Sequence, residues 1–287
     1  MKKNSIIIFL FSFLIISNAF AQTLSPRVMP STGGYFSAGG KSLSWTMGET
    51  FTSTLTASNV ILTQGFQQPY VELTVLNLKA YIEGYYEAAF QNLQPSGQMN
   101  DNGGLGGLLY KTGNSPNYNA VDTVTISAMN AVSPYALVSS KKGIIDINGN
   151  VTVKFGSEVL VGQSYYIKVN HRNTIETWSG SPVLFTKITS YDFSTAANKA
   201  FGNNMVLTSD GLKYAFYSGD ISDQATTIVG IQDAIIESQD YGDMENAVSI
   251  TLLGYVTEDI TGDAIVESAD YSLIETNVFY TRVRMRP

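Results

Sequence analysis

The chain has no cysteine. That excludes disulfide scaffolds, cysteine-ligated zinc, iron–sulfur centres and thiol nucleophiles. It has one histidine, His171, so a multi-histidine metal site or a pair of catalytic histidines is not available to it. Charged residues make up 14%, against about 25% in an average globular protein. Aromatic residues nevertheless reach 11%, which excludes a disordered chain. The net charge of −7 argues against a phosphate backbone as partner, so no nucleic acid is expected. With 287 residues there is apolar material for more than one core.

Long apolar runs are also scarce, with one exception at the start. Lys2 and Lys3 precede the run Ile6 to Ser17, and small residues follow at Ala19 and Ala21. This is the pattern of an export signal with cleavage after Ala21. The run is shorter than the roughly 20 residues of a spanning helix, so no integral membrane span is expected once 1–21 is removed. The expected location is secreted, extracellular or at the cell surface.

Residues 22–70 alternate polar and apolar side chains over Lys41–Met47 and again from Phe51 to Leu55, which predicts a small N-terminal β-meander. The stretch SPRVMPSTGGYFSAGGKSLSWTMGE, with the closing LTQGFQQP, resembles a segment found near the N-terminus of secreted Bacteroidetes proteins.

Residues 71–193 read as short alternating strands about ten residues apart. They are Leu73–Ile82, Thr123–Ala128, Tyr135–Ser139, Gly143–Ile147, Val151–Phe155, Ser164–Val169 and Val183–Ile188. Turn residues between them suggest an immunoglobulin-like β-sandwich, with Asn148-Gly149-Asn150 as a hairpin signal. Residues 91–116 form a long Gly/Asn/Pro-rich insertion, functional or mobile. Residues 194–215 look like a connector with a short helix near Ala196 to Phe201. Candidates for catalysis here are thin. Glu83 and Glu87 could form a carboxylate pair for glycosidic chemistry, but they read better as solvated strand-end residues. His171 reads as a loop anchor bonding to backbone carbonyls, with Trp178 as a conceivable stacking platform for a sugar. No catalytic residue is assigned.

Residues 216–287 hold 13 acidic and three basic residues, a net of −10, while the rest of the mature chain is nearly neutral. The acids recur among Ile, Val, Leu and Tyr, as in a foldable segment. Residues 259–270 place oxygen donors at loop positions 1, 3, 5, 9 and 12, namely Asp259, Thr261, Asp263, Glu267 and Asp270, with the Ile265 carbonyl at position 7. This alternation wraps a chain around calcium. A helix follows from Ser268. Position 6, where Gly is usual, is Ala264, at a cost of roughly 1–2 kcal/mol if the turn is left-handed. An earlier copy is found by aligning 228–240 on 265–277, which sets Asp233 on Asp270. Its donors are then Asp220, Ser222, Gln224 and Asp233 in a loop two residues longer.

Two calcium loops with following helices, introduced by YSGD and ending in VRMRP, resemble a dockerin module, most closely the dockerin-like tails of secreted Bacteroidetes proteins. The resemblance implies a cohesin-like surface protein as partner. It also implies recognition through exposed helix faces, here Ala234, Ile235 and Ser238 with Tyr271, Ser272 and Glu275. The module could instead pack on its own β-sandwich as a cap. The sequence as a whole predicts a mainly β, secreted, non-enzymatic multi-module protein with calcium as its cofactor. The alternative is a carbohydrate-binding or carbohydrate-active protein delivered by a dockerin-type tail.

Overall fold

The structure, a computed structural model, describes residues 32–38, 41–47, 54–57, 60–63, 73–88, 98–99, 105–226 and 228–287. Residues 1–21, expected to be an export signal, lie outside them. The chain divides into two compact units, Met1–Tyr70 and Val71–Pro287, and it is mainly β, with several sheets.

In the first unit, β1 (Thr32–Ala38) and β2 (Lys41–Met47) form an antiparallel hairpin in which Ala38 faces Lys41. A second hairpin joins β3 (Thr54–Ala57) and β4 (Val60–Thr63). The expected meander is thus two separate two-stranded sheets.

The second unit is built on two sheets. The larger has the order β12-β11-β8-β9 and adds β13 beside β11. Its strands are β8 (Ala120–Asn130), β9 (Leu137–Asp146), β11 (Ser164–His171), β12 (Thr174–Trp178) and β13 (Val183–Leu184). The smaller sets β10 (Asn150–Phe155) antiparallel to β5 (Thr74–Lys79), and β14 (Ile188–Asp192) parallel to β5. Inward residues of both sheets share one core, with Leu76 and Leu78 from β5, Ile126 from β8, Val153 and Phe155 from β10 and Ile167 from β11. On β10 the pattern is legible residue by residue, since Val151, Val153 and Phe155 are buried while Asn150, Thr152 and Lys154 are exposed. That is the period of two of a half-buried strand.

Asn148-Gly149-Asn150 does make a tight turn. Gly149 sits at φ 77, and Asp146 Oδ1 accepts from the backbone N–H groups of Asn148 and Asn150 at 2.9 and 2.8 Å. The turn does not close a hairpin, however. It hands the chain from one sheet to the other, because β10 takes its hydrogen bonds from β5 rather than from β9. Two predicted strands, Tyr135–Ser139 and Gly143–Ile147, are one strand, β9, whose Lys141-Lys142-Gly143 stretch stays in register with β8.

β12 carries no strand signal in the sequence. All five of its residues are buried, so it lacks the alternation that marks a strand with one wet face. Ile175 is buried in the core of the C-terminal segment, which covers the outer side of this strand. Part of the 91–116 insertion is packed. β7 (Gln98–Met99) pairs with β6 (Tyr86–Glu87), and Met99, with Leu108 of the short helix α1 (Leu108–Lys111), is fully buried. The connector holds three successive 3-10 turns between Phe193 and Asn203, and then a hairpin of β15 (Val206–Leu207) and β16 (Tyr214–Ala215).

The C-terminal segment carries α2 (Ser238–Ser249) and α3 (Ser268–Phe279), each preceded by an acidic loop. Among the described residues no helix is long and apolar enough to cross a membrane.

Candidate functional site

The structure sets the register of the duplication. Asp233-Ala234-Ile235-Ile236-Glu237-Ser238 and Asp263-Ala264-Ile265-Val266-Glu267-Ser268 stand 30 residues apart, followed by Asp240-Tyr241 and Asp270-Tyr271. Both helices open on the same capping box. Glu237 and Asp240 exchange side-chain and backbone bonds at the start of α2, and Glu267 and Asp270 do so at the start of α3. Asp240 is therefore the counterpart of Asp270, and Asp233 that of Asp263. This corrects the alignment that set Asp233 on Asp270. That alignment fails because the first loop carries nine extra residues, 223–231, between Ser222 and Gln232. Gln224 falls inside this insertion, exposed to solvent, and has no counterpart in the second loop.

With the insertion set aside, the loops share three bonds. Asp240 Oδ1 accepts from the N–H of Ser222 at 2.8 Å, and Asp270 Oδ1 from that of Thr261 at 2.8 Å. Asp240 Oδ2 accepts from Glu237 N–H at 2.9 Å, and Asp270 Oδ2 from Glu267 N–H at 2.9 Å. Asp233 Oδ1 takes the N–H of Ile235 at 3.0 Å, and Asp263 Oδ1 that of Ile265 at 2.8 Å. Ala234 and Ala264 both adopt positive φ, 70 and 77. Each turn is thus left-handed with a Cβ in place.

A pseudo-twofold relates the copies in space. The N–H of Ile236 donates to Arg282 O and that of Val266 to Leu252 O; likewise Arg284 N–H to Ala234 O and Gly254 N–H to Ala264 O, all at 2.8 Å. The chain leaving each helix therefore closes the loop that precedes the other. Tyr241 and Tyr271 meet hydroxyl to hydroxyl, their rings 4.8 Å apart. Ile221, Ile236 and Met244 pack with Ile260, Val266 and Ile274 in a core of their own.

The acids of these loops are buried. Asp220, Asp240, Asp259 and Asp270 are all essentially inaccessible. Burial, with the charges of Asp240 and Asp233 adding to it, pushes Asp220 up to about 9. Burial likewise carries Asp259 to about 7, against the pull of Arg172, and Asp240 to about 6; it raises Asp270 as well. Among the described residues no three His, Asp or Glu side chains are grouped closely enough to hold an ion as they stand. Their oxygens are turned onto backbone N–H groups. The donor chemistry still fits a hard cation. Every candidate donor is an oxygen, four of them belong to buried carboxylates, and two oxygens, Asp220 Oδ1 and Thr261 Oγ1, are buried without a hydrogen-bond partner. Buried polar atoms of that kind ask for an explanation.

The second loop is gripped by the β part of the unit. Arg172, at the end of β11, bonds to the carbonyl of Val256 and reaches that of Asp259 at 3.4 Å. Asn173 Nδ2 donates to Asp259 O at 3.0 Å. Arg172 is itself held by Asp122 Oδ2 at 2.9 Å, which also accepts from Tyr85 OH at 2.8 Å and lies 3.0 Å from His171 Nε2. His171 Nε2 thus faces a buried carboxylate and not the backbone carbonyls expected for it. Burial opposes the charge of Asp122, but His171 and Arg172 outweigh it and hold the carboxyl well below its usual range. Gly84 lies so close that an added Cβ would overlap the Ile260 carbonyl.

The other sequence candidates lie apart from one another. Glu83 Oε2 accepts from Ser218 N–H at 3.0 Å and from Asn277 Nδ2 at 2.7 Å, while Glu87 lies on β6 opposite Gln98. Trp178 is buried, its Nε1 donating to Glu176 Oε1 at 2.6 Å. Of the residues expected to meet a partner, Ser238, Ser272 and Glu275 are exposed, Ile235 and Tyr271 are half-buried, and Ala234 is buried.

No family model matches the chain, and no curated protein matches it. One solved chain similar to it comes from a type II cohesin–X-dockerin complex of Acetivibrio cellulolyticus, an N-terminal interface mutant. The similarity covers 73% of this chain and 97% of that chain at 14% identity, with a TM-score of 0.40, a level at which neither fold nor function follows from it.

Proposed function

We propose that the second unit is an exported, non-enzymatic docking unit, an immunoglobulin-like β-sandwich carrying a dockerin-like duplicated segment that binds calcium. The observation that carries this reading is the matched pair of buried loops. In the first, Asp220, Ser222, Asp233, the Ile235 carbonyl, Glu237 and Asp240 would hold the ion. In the second, Asp259, Thr261, Asp263, the Ile265 carbonyl, Glu267 and Asp270 would do so. Calcium would supply the positive charge that buried carboxylates otherwise lack. The chain's own residues do the rest. The capping boxes fix the carboxylates at positions 9 and 12, and the crossed backbone bonds fix the loop openings. The partner would be a cohesin-like surface protein.

The test is calorimetric calcium titration of Gln22–Pro287. Two sites are expected, with Asp240→Asn and Asp270→Asn each removing one and Gln224→Ala removing none. No heat of binding, together with an unfolding transition indifferent to chelator, would overturn the reading.

A further inference from the structure

On the segment that closes the first loop, a cleft of about 430 Å³ opens where Met129, Tyr135, Lys168 and Trp178 of the larger sheet and its turn meet Arg284 and Arg286. It is cationic inside an acidic segment. Residues 216–287 have only three basic side chains, and two of them line this cleft. Glu176 is the one acidic side chain in its lining, which also includes Pro287, and its carboxylate is already used. It takes Trp178 Nε1 at 2.6 Å, Lys168 Nζ at 3.1 Å and Asn170 Nδ2 at 3.2 Å, with Arg284 Nη1 at 3.5 Å. Burial works against its charge, but the indole N–H and the Lys168 ammonium outweigh it, so Glu176 stays ionised. Its effect is to fix Lys168 and Arg284 along the lining. Arg286 is exposed.

The remaining hydrogen-bonding capacity is nearly all on donors. Arg284, Arg286 and Lys168 keep unused N–H groups, and no side-chain carboxylate is left to accept. An oxyanion is therefore favoured over a cation or a basic peptide, since a guanidinium meets one with two parallel bonds. Beside the cations stands a rigid apolar surface. Tyr135 and Tyr166 meet edge to face at 5.9 Å, as do Tyr166 and Trp178 at 6.0 Å, and Met129 packs with them. The volume falls in the range of small-molecule pockets.

We infer that this cleft binds an acidic sugar, with the carboxylate or sulfate held by Arg284 and Arg286 and the C–H face of the ring against Tyr135 and Met129. A compact cavity with an aromatic surface suits one or two pyranose rings better than an extended acidic peptide.

Titration of Gln22–Pro287 at fixed calcium with a glucuronate disaccharide, a sulfated disaccharide, cellobiose and triglutamate tests this. At least one acidic disaccharide should bind, more weakly as salt rises, and the tighter of the two names the acid. Arg286→Gln should weaken it about tenfold with no change in melting temperature, because that side chain is exposed, and Arg284→Gln should weaken it too. The inference is overturned if neither acidic disaccharide binds, if cellobiose binds as well as they do, if triglutamate binds tighter, or if Arg286→Gln leaves affinity unchanged.

Discussion

The side-chain amide of Asn277 on α3 lies 2.7 Å from Glu83 Oε2 and 2.9 Å from the Ser218 carbonyl. At the matching place on α2 stands Ala247, buried in the C-terminal core. The two helices are alike where they face their loops and differ here, where the Asn277 amide of α3 meets the β part of the unit.

Asn277→Ala should therefore cost about 1–3 kcal/mol, because it strips a donor from a half-buried carboxylate. Burial already raises Glu83, with Ser218 and Asn277 holding it back, so the loss should raise it further. Urea unfolding reads the cost, and adding Glu83→Gln should recover part of it. Asn277→Ala at wild-type stability would mean that the contact is idle.

In chelator, stability should fall as pH rises from about 5 to 9. The unfolded carboxylates ionise near 4, whereas Asp240, Asp259 and Asp220 are raised to about 6, 7 and 9. Over that window the folded state binds more protons than the unfolded one, so stability decreases with pH. Calcium binds the deprotonated form and should flatten or reverse the trend. Melting temperatures at pH 5, 7 and 9, with and without calcium, check the sign.

Asp122→Asn should cost about 3–5 kcal/mol, as removal of one partner from a buried ion pair does. It leaves Arg172 beside Tyr85 and the Val256 carbonyl without a counter-charge. Because the Asp122 carboxyl is held low, its stabilising effect is full above pH 4 and fades only in stronger acid, opposite in sense to the loop acids. Denaturant titration of the variant at pH 7 is the measurement, and a loss under 1 kcal/mol would show that the network carries little of the docking.

Ala264→Gly should stabilise the chain by up to about 1 kcal/mol. The residue sits at φ 77, where a Cβ costs roughly 1–2 kcal/mol, and the greater freedom of glycine in the unfolded chain takes back part of the gain. Calorimetric unfolding of this variant, compared with Ala234→Gly, reads both copies.

Much of the β architecture was visible in the sequence wherever one face of a strand is wet, as on β10. It was invisible on β12, where Ile175 and its neighbours are covered from both sides and alternation disappears. The turn at Gly149 was legible, but its destination was not, since a tight turn says nothing about which strand the chain pairs with next. The second loop could be read residue by residue. The first is obscured because apolar pairs such as Ile228-Val229 recur by chance, while the nine-residue insertion displaces the true match. The better signal was the shared string from Asp233 to Glu237 and from Asp263 to Glu267, with an acid three residues after each Glu. A Glu at the cap and an acid at the third helical position answer to one geometric need.

The crossed closure of the two loops also sets an order of events as the chain is made. The second loop is closed by Gly254, ten residues before Ala264, so its clasp has been synthesised before the loop itself. The first is closed by Arg284, 50 residues after Ala234, and stays open until that residue has emerged. The copy that comes first in the gene is the one that must wait.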